Sequence, residues 1–93
     1  MVEFKDKLVL ITGAGSGIGE ALAYQFAQKG TNVLLTGRRR ANLEKVKVEC
    51  EKMGVKGYVC ELDLEQYSSI DSLVEYIDSN GLNPNFIVLN AGI

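Results

Sequence analysis

Thr12-Gly13-Ala14-Gly15-Ser16-Gly17-Ile18-Gly19 places four glycines within eight residues, between two segments of opposite periodicity. Ahead of it, Leu8-Val9-Leu10-Ile11 extends a run from Lys7 to Thr12 that is aliphatic throughout its middle, as expected for a parallel strand covered on both faces. Behind it, Ile18, Ala21, Leu22, Phe26 and Ala27 recur at helical spacing, and Gly30 is placed to stop that helix in a left-handed conformation. A glycine turn between a strand and a helix is where α/β folds hold a pyrophosphate. Absent side chains let backbone N–H groups approach the phosphates, and the helix N-terminus adds partial positive charge.

Working outward, Val33-Leu34-Leu35-Thr36 reads as a second strand, and Leu43, Val46, Cys50 and Met53 as the stripe of a second helix ending before Gly54. Tyr58 to Leu62 supplies a third strand, and Ile70, Leu73, Val74 and Ile77 a third helix, with Ser68 and Asp71 spaced like a capping box at its start. Asn80-Gly81 closes that helix, and Asn83-Pro84-Asn85 turns the chain. Phe86-Ile87-Val88-Leu89 then forms a fourth strand ending in Asn90-Ala91-Gly92. Strand and helix alternate three times before a last strand. The expectation is an α/β fold, a Rossmann-like doubly wound parallel sheet with helices on both faces, over residues 1–93.

Composition supports a packed globular chain: 93 residues, 46% hydrophobic and 24% charged, with one proline. At this size only about 60–65% of the unfolded surface can be buried, so an independent core is marginal. The net charge of −2 gives no general attraction to nucleic acid or to an anionic membrane. Charge is uneven, however: residues 1–40 carry six Lys or Arg against Glu3, Asp6 and Glu20, while residues 41–93 carry four Lys against nine acids. The run Leu8–Ile11 is too short to span a bilayer, and a cytoplasmic location is expected. Cys50 and Cys60 are expected as reduced core residues rather than a disulfide.

The spacing of the glycines is not G-x-G-x-x-G, because Ile18 stands where the third glycine would fall, and no Gly-Lys-Ser/Thr follows as in a Walker A loop. As T-G-x-x-x-G-x-G through Thr12, Gly13, Gly17 and Gly19, it resembles the cofactor fingerprint of the short-chain dehydrogenase/reductase family. The resemblance implies an adenine contact for Asp63 after the third strand. It also assigns Asn90-Ala91-Gly92 to that family's N-N-A-G, whose Asn helps hold the central sheet together. Leu89 replaces the first Asn, a departure that bears on the ribose-side contact. A turn of the related extended reductases and epimerases more often reads G-x-x-G-x-x-G.

Cofactor choice follows from the end of the second strand. A carboxylate about twenty positions after the glycine turn would hydrogen-bond the ribose 2′-hydroxyl of NAD and repel a 2′-phosphate. The chain instead reads Thr36-Gly37-Arg38-Arg39-Arg40, and Arg38 can offer a planar charge-assisted fork to a phosphate. NADP(H) is therefore expected over NAD(H). The candidate cofactor residues are Gly13, Gly15, Ser16, Gly17, Ile18 and Gly19, together with Arg38, Asp63, Asn90, Ala91 and Gly92.

No catalytic residue can be named. The resemblance implies a Tyr acid/base, a Lys that lowers its pKa and a Ser that orients substrate, but Tyr24, Tyr58, Tyr67 and Tyr76 are followed four positions on by Gln28, Leu62, Asp71 and Asn80 rather than Lys. The absence of His rules out a Ser-His-Asp triad or a His-based zinc site, and no metal site is expected. The leading expectation is the NADP(H)-binding N-terminal part of a family oxidoreductase, inactive alone, whose full-length form would take a small-molecule substrate. The alternative is a non-enzymatic dinucleotide-binding or assembly module. In both, the fourth strand should be an exposed apolar sheet edge, open to self-association.

Overall fold

Leu8–Ile11 forms β1, with every side chain buried, because both faces of this strand are covered by other elements. The computed structural model describes residues 3–63 and 67–90. After β1 come α1 (Gly17–Gln28), β2 (Asn32–Gly37), α2 (Arg40–Lys52), β3 (Gly57–Glu61), α3 (Tyr67–Ser79) and β4 (Phe86–Val88). All pairings are parallel and the strand order is β3-β2-β1-β4. The doubly wound α/β expectation is met, and β4 lies at an edge.

Alternation along each strand feeds two separate cores. Val9, Ile11, Val33, Leu35 and Val59 pack with Ala23, Ala27, Leu43, Val46 and Cys50, so α1 and α2 share one face. On the other face, Leu8, Leu10, Leu34, Cys60 and Leu62 meet Leu73, Tyr76 and Ile77 of α3. Cys50 and Cys60 are free, and the sheet lies between them. Each helix ends two residues before a glycine with positive φ: Gly30 at 83°, Gly54 at 97° and Gly81 at 62°. Only glycine takes that turn without a Cβ penalty.

Three local expectations shift. Ile18 is 71% exposed and Ala21 is exposed too; of the expected stripe Ala27 is buried, together with Gly19 and Ala23, and Leu22 and Phe26 are half-buried against the same core. At Gly19 only a residue without a side chain fits, since a Cβ there would lie 2.0 Å from Gly13 O. Helix α3 begins at Tyr67, so Ser68 stands inside its first turn and accepts a hydrogen bond from Ser72 Oγ through its carbonyl. The Ser69 hydroxyl, one position on, accepts from the Asp63 N–H at 3.2 Å. Met53, at the end of its stripe, is likewise exposed. Among the described residues, no helix is long and apolar enough to cross a membrane.

Candidate functional site

Because all four strands run the same way, Ile11, Gly37, Glu61 and Val88 end at one edge of the sheet. There, the chain leaves β1 with β2 on one side and β4 on the other, which makes the β1–β4 gap the point where the winding direction reverses. Ligands of open α/β sheets bind in that crevice. The glycine turn occupies it.

The turn is shaped by backbone demands that favour glycine. Gly13 and Gly17 hold φ values of 63° and 58°. A Cβ on Gly17 would meet nothing within 4 Å, so its requirement is conformational. Gly19 has the opposite requirement: a Cβ there would lie 2.0 Å from Gly13 O and 2.9 Å from Asn90 Nδ2. Gly15 faces Asn42 and Leu43, the virtual Cβ standing 3.1 Å from Asn42 Cβ. Glycine thus serves the fold of the turn as well as access to it.

Two strand ends pin the turn. Ala14 N–H donates to Thr36 O at 3.0 Å on the β2 side. On the β4 side Asn90 Nδ2 donates to Gly13 O at 3.2 Å, Asn90 N–H donates to Thr12 Oγ1 at 2.8 Å, and Thr12 Oγ1 donates to Asn90 O at 3.1 Å. Asn90 therefore holds β1 and β4 together through its backbone and the turn through its carboxamide. Ala91 and Gly92 lie outside the described residues.

What these bonds leave open is the start of α1. Ser16 precedes the helix in extended conformation, φ −164° and ψ 167°, and its side chain makes no capping hydrogen bond. Among the described residues, the N–H groups of Gly15, Ser16, Gly17, Ile18 and Gly19 have no hydrogen-bond partner; the first bond of the helix is Glu20 N–H to Ser16 O. A concave row of N–H donors at a helix N-terminus can take a phosphate. Ser16, Gly17 and Ile18 are exposed there.

The arginine triplet follows β2 immediately. Gly37 packs against Leu43, whose fully buried side chain also faces Gly15, so one leucine supports both the glycine turn and the arginine turn. Arg40 opens α2 and pairs with Glu44 and Glu61 at 3.5 and 3.6 Å. Arg38 and Arg39 are exposed and, among the described residues, make no ion pair. Asp63 follows β3, half-buried, beyond Leu62, whose N–H donates to Gly37 O at 2.8 Å.

The site residues fall into two groups by legibility. Gly13, Gly15, Ser16, Gly17, Ile18, Gly19, Arg38, Asp63 and Asn90 all lie along one sheet edge, as their sequence positions imply. Leu43 as a shared support and the reciprocal Thr12–Asn90 pair were not legible, because each depends on contacts between distant segments. Elsewhere, the acidities of Tyr24, Tyr76, Cys50 and Cys60 move away from proton transfer near neutrality. Tyr24 is pushed up to about 12, by burial and then by donating to the Glu20 carboxylate at 2.7 Å. Burial raises the Cys50 thiol to about 11 and lifts Tyr76 and Cys60 as well.

The sequence profile of the short chain dehydrogenases matches residues 7–93. A fatty acyl-CoA reductase of Acinetobacter baylyi is 39% identical over 88 residues, 95% of this chain and 30% of that protein. Among solved structures, the L-sorbose reductase of Gluconobacter frateurii, complexed with NADPH and L-sorbose, superposes with a TM-score of 0.90 at 30% identity, covering 99% of this chain and 36% of that one. An NAD+-bound xylitol dehydrogenase superposes at 0.82 with 29% identity, covering 92% and 33%. The chain spans about a third of the length of these relatives. With the glycine turn, the parallel sheet and a profile match over nearly every residue, the chain belongs to the short-chain dehydrogenase/reductase family.

Proposed function

We propose that this chain is the NADP(H)-binding portion of a short-chain dehydrogenase/reductase oxidoreductase and is inactive by itself. In this reading the open N–H groups of Gly15 to Gly19 hold the pyrophosphate, Arg38 takes the adenosine 2′-phosphate, Asp63 contacts adenine, and Asn90-Ala91-Gly92 border the ribose. The cofactor supplies hydride exchange with a carbonyl or alcohol substrate in a full-length protein. The residues here bind and orient it. The carrying observation is the state of Arg38: exposed, next to the glycine turn, and without an ion pair among the described residues, while Arg40 two positions on is engaged with Glu44 and Glu61. The relatives bind one dinucleotide or the other, NADPH in the L-sorbose reductase and NAD+ in the xylitol dehydrogenase. Arg38 is therefore the residue on which the preference rests.

Titration of the chain with NADPH and NADH, followed by nicotinamide fluorescence, tests this reading. NADPH is expected to bind more tightly. Arg38→Asp should weaken NADPH binding by roughly tenfold or more, the loss of a charge-assisted fork, and NADH binding by less than about threefold. Equal losses for the two cofactors would contradict the 2′-phosphate assignment.

A further inference from the structure

We propose that Arg40 sets the preference for a 2′-phosphate without touching it, by neutralising Glu61 at the edge where that phosphate docks. The inference rests on the role assigned to Arg38 above. Gly37 is the register partner of Glu61 across the β2–β3 pair, and Leu62 N–H donates to Gly37 O at 2.8 Å. Glu61 therefore stands one strand spacing, about 4.8 Å between backbones, from the residue that precedes Arg38. Its side chain is about half exposed at that edge. A bare carboxylate there opposes any doubly negative group brought to Arg38.

Arg40 cancels that opposition. Its Nε lies 3.6 Å from Glu61 Oε1 and its Nη1 3.5 Å from Glu44 Oε1, so one guanidinium spans two carboxylates. Half-exposed pairs of this kind contribute little to stability. Their effect on potential extends further, over a Debye length of about 8 Å at physiological salt, which reaches the neighbouring strand end. The three consecutive arginines thus have different duties. Arg38 is left available for an anion, Arg39 precedes the α2 helix in extended conformation, and Arg40 is spent on local acids. Arg40 is a positioning residue for charge, acting through Glu61.

The test is a cycle on the same chain, titrated with NADPH and NADH while circular dichroism monitors folding. Arg40→Gln is expected to weaken NADPH binding roughly three- to tenfold and to leave NADH within about twofold, with the difference shrinking at about 0.5 M salt. Adding Glu61→Gln should restore NADPH affinity to within about twofold of the parent, because the uncompensated carboxylate is gone. Glu61→Gln alone should strengthen NADPH binding roughly two- to fivefold by releasing the Arg40 charge. An unchanged NADPH-to-NADH ratio in Arg40→Gln overturns the inference, as does a loss shared by both cofactors that Glu61→Gln fails to rescue. Should Arg40→Gln not fold, the Glu61→Gln single variant decides: unchanged NADPH affinity overturns the inference. A parent chain with no NADPH preference removes the Arg38 reading and this inference with it. A preference that Arg38→Asp abolishes and Arg40→Gln leaves intact removes only this inference.

Discussion

The two faces of the sheet carry similar aliphatic strands but are finished to different degrees. Under α1 and α2, Val9, Ile11, Val33 and Leu35 are fully excluded from solvent. On the α3 side, Ile70 and Val74 of the helix remain 46% and 59% exposed, Ile87 of β4 is 62% exposed, and Leu89 just beyond it 79%. The glycine turn and Arg38 are held by elements of the closed face, through Leu43 and the small residues of α1. The contrast teaches that the glycine-turn edge depends on one core, whereas the other core contributes mainly through β1, Leu62 and the approach to Asp63.

The largest expected effect lies at the closest approach on the finished face. Gly19→Ala puts a Cβ 2.0 Å from Gly13 O, a backbone atom that cannot step aside without moving the turn. A loss of about 4 kcal/mol or more in urea denaturation is expected; an unchanged midpoint would mean that turn and helix are not locked together. Leu43→Ala should cost about 3 kcal/mol as a fully buried truncation, whereas Val74→Ala on the unfinished face should stay within about 0.5 kcal/mol. Similar values for the two would erase the contrast.

The alkaline limb sharpens it further. Burial, aided by Glu49 and Glu51, lifts the Cys50 thiol from its ordinary 9.0 to about 11. The folded chain favours the neutral thiol, so this contribution is complete below pH 9 and is lost as pH rises through 11. Its size is on the order of 2 kcal/mol. Cys50→Ala should therefore flatten the fall of the urea midpoint between pH 9 and 11. The Tyr24 contribution, displaced from 10.0 to about 12, continues beyond it. A profile with the same slope in both proteins would show that the thiol does not report burial of this face.

Periodicity made the seven elements legible because aliphatic runs, helical stripes and stop glycines are local properties. Strand ends moved by a residue or so, as at Asn32 and Gly37 beyond Val33–Thr36. Less legible was which side of a helix would be buried. Ile18 and Ala21 fit the spacing of α1 and are exposed, whereas Gly19 and Ala23 join the expected Ala27 in facing the core. The site divides in the same way. The glycine positions are written in the turn itself, and Arg38 follows from its place after β2. The Arg40–Glu61 pair, the double use of Leu43 and the Thr12–Asn90 bonds arise only when segments 21 to 78 residues apart are neighbours.

The bond from Asn90 Nδ2 to Gly13 O spans 77 positions of chain. During synthesis the glycine turn is made first, and it is clamped only after 77 further positions have followed it. A ligand held at the glycine turn would therefore be linked to docking of the last strand, each drawing the other forward.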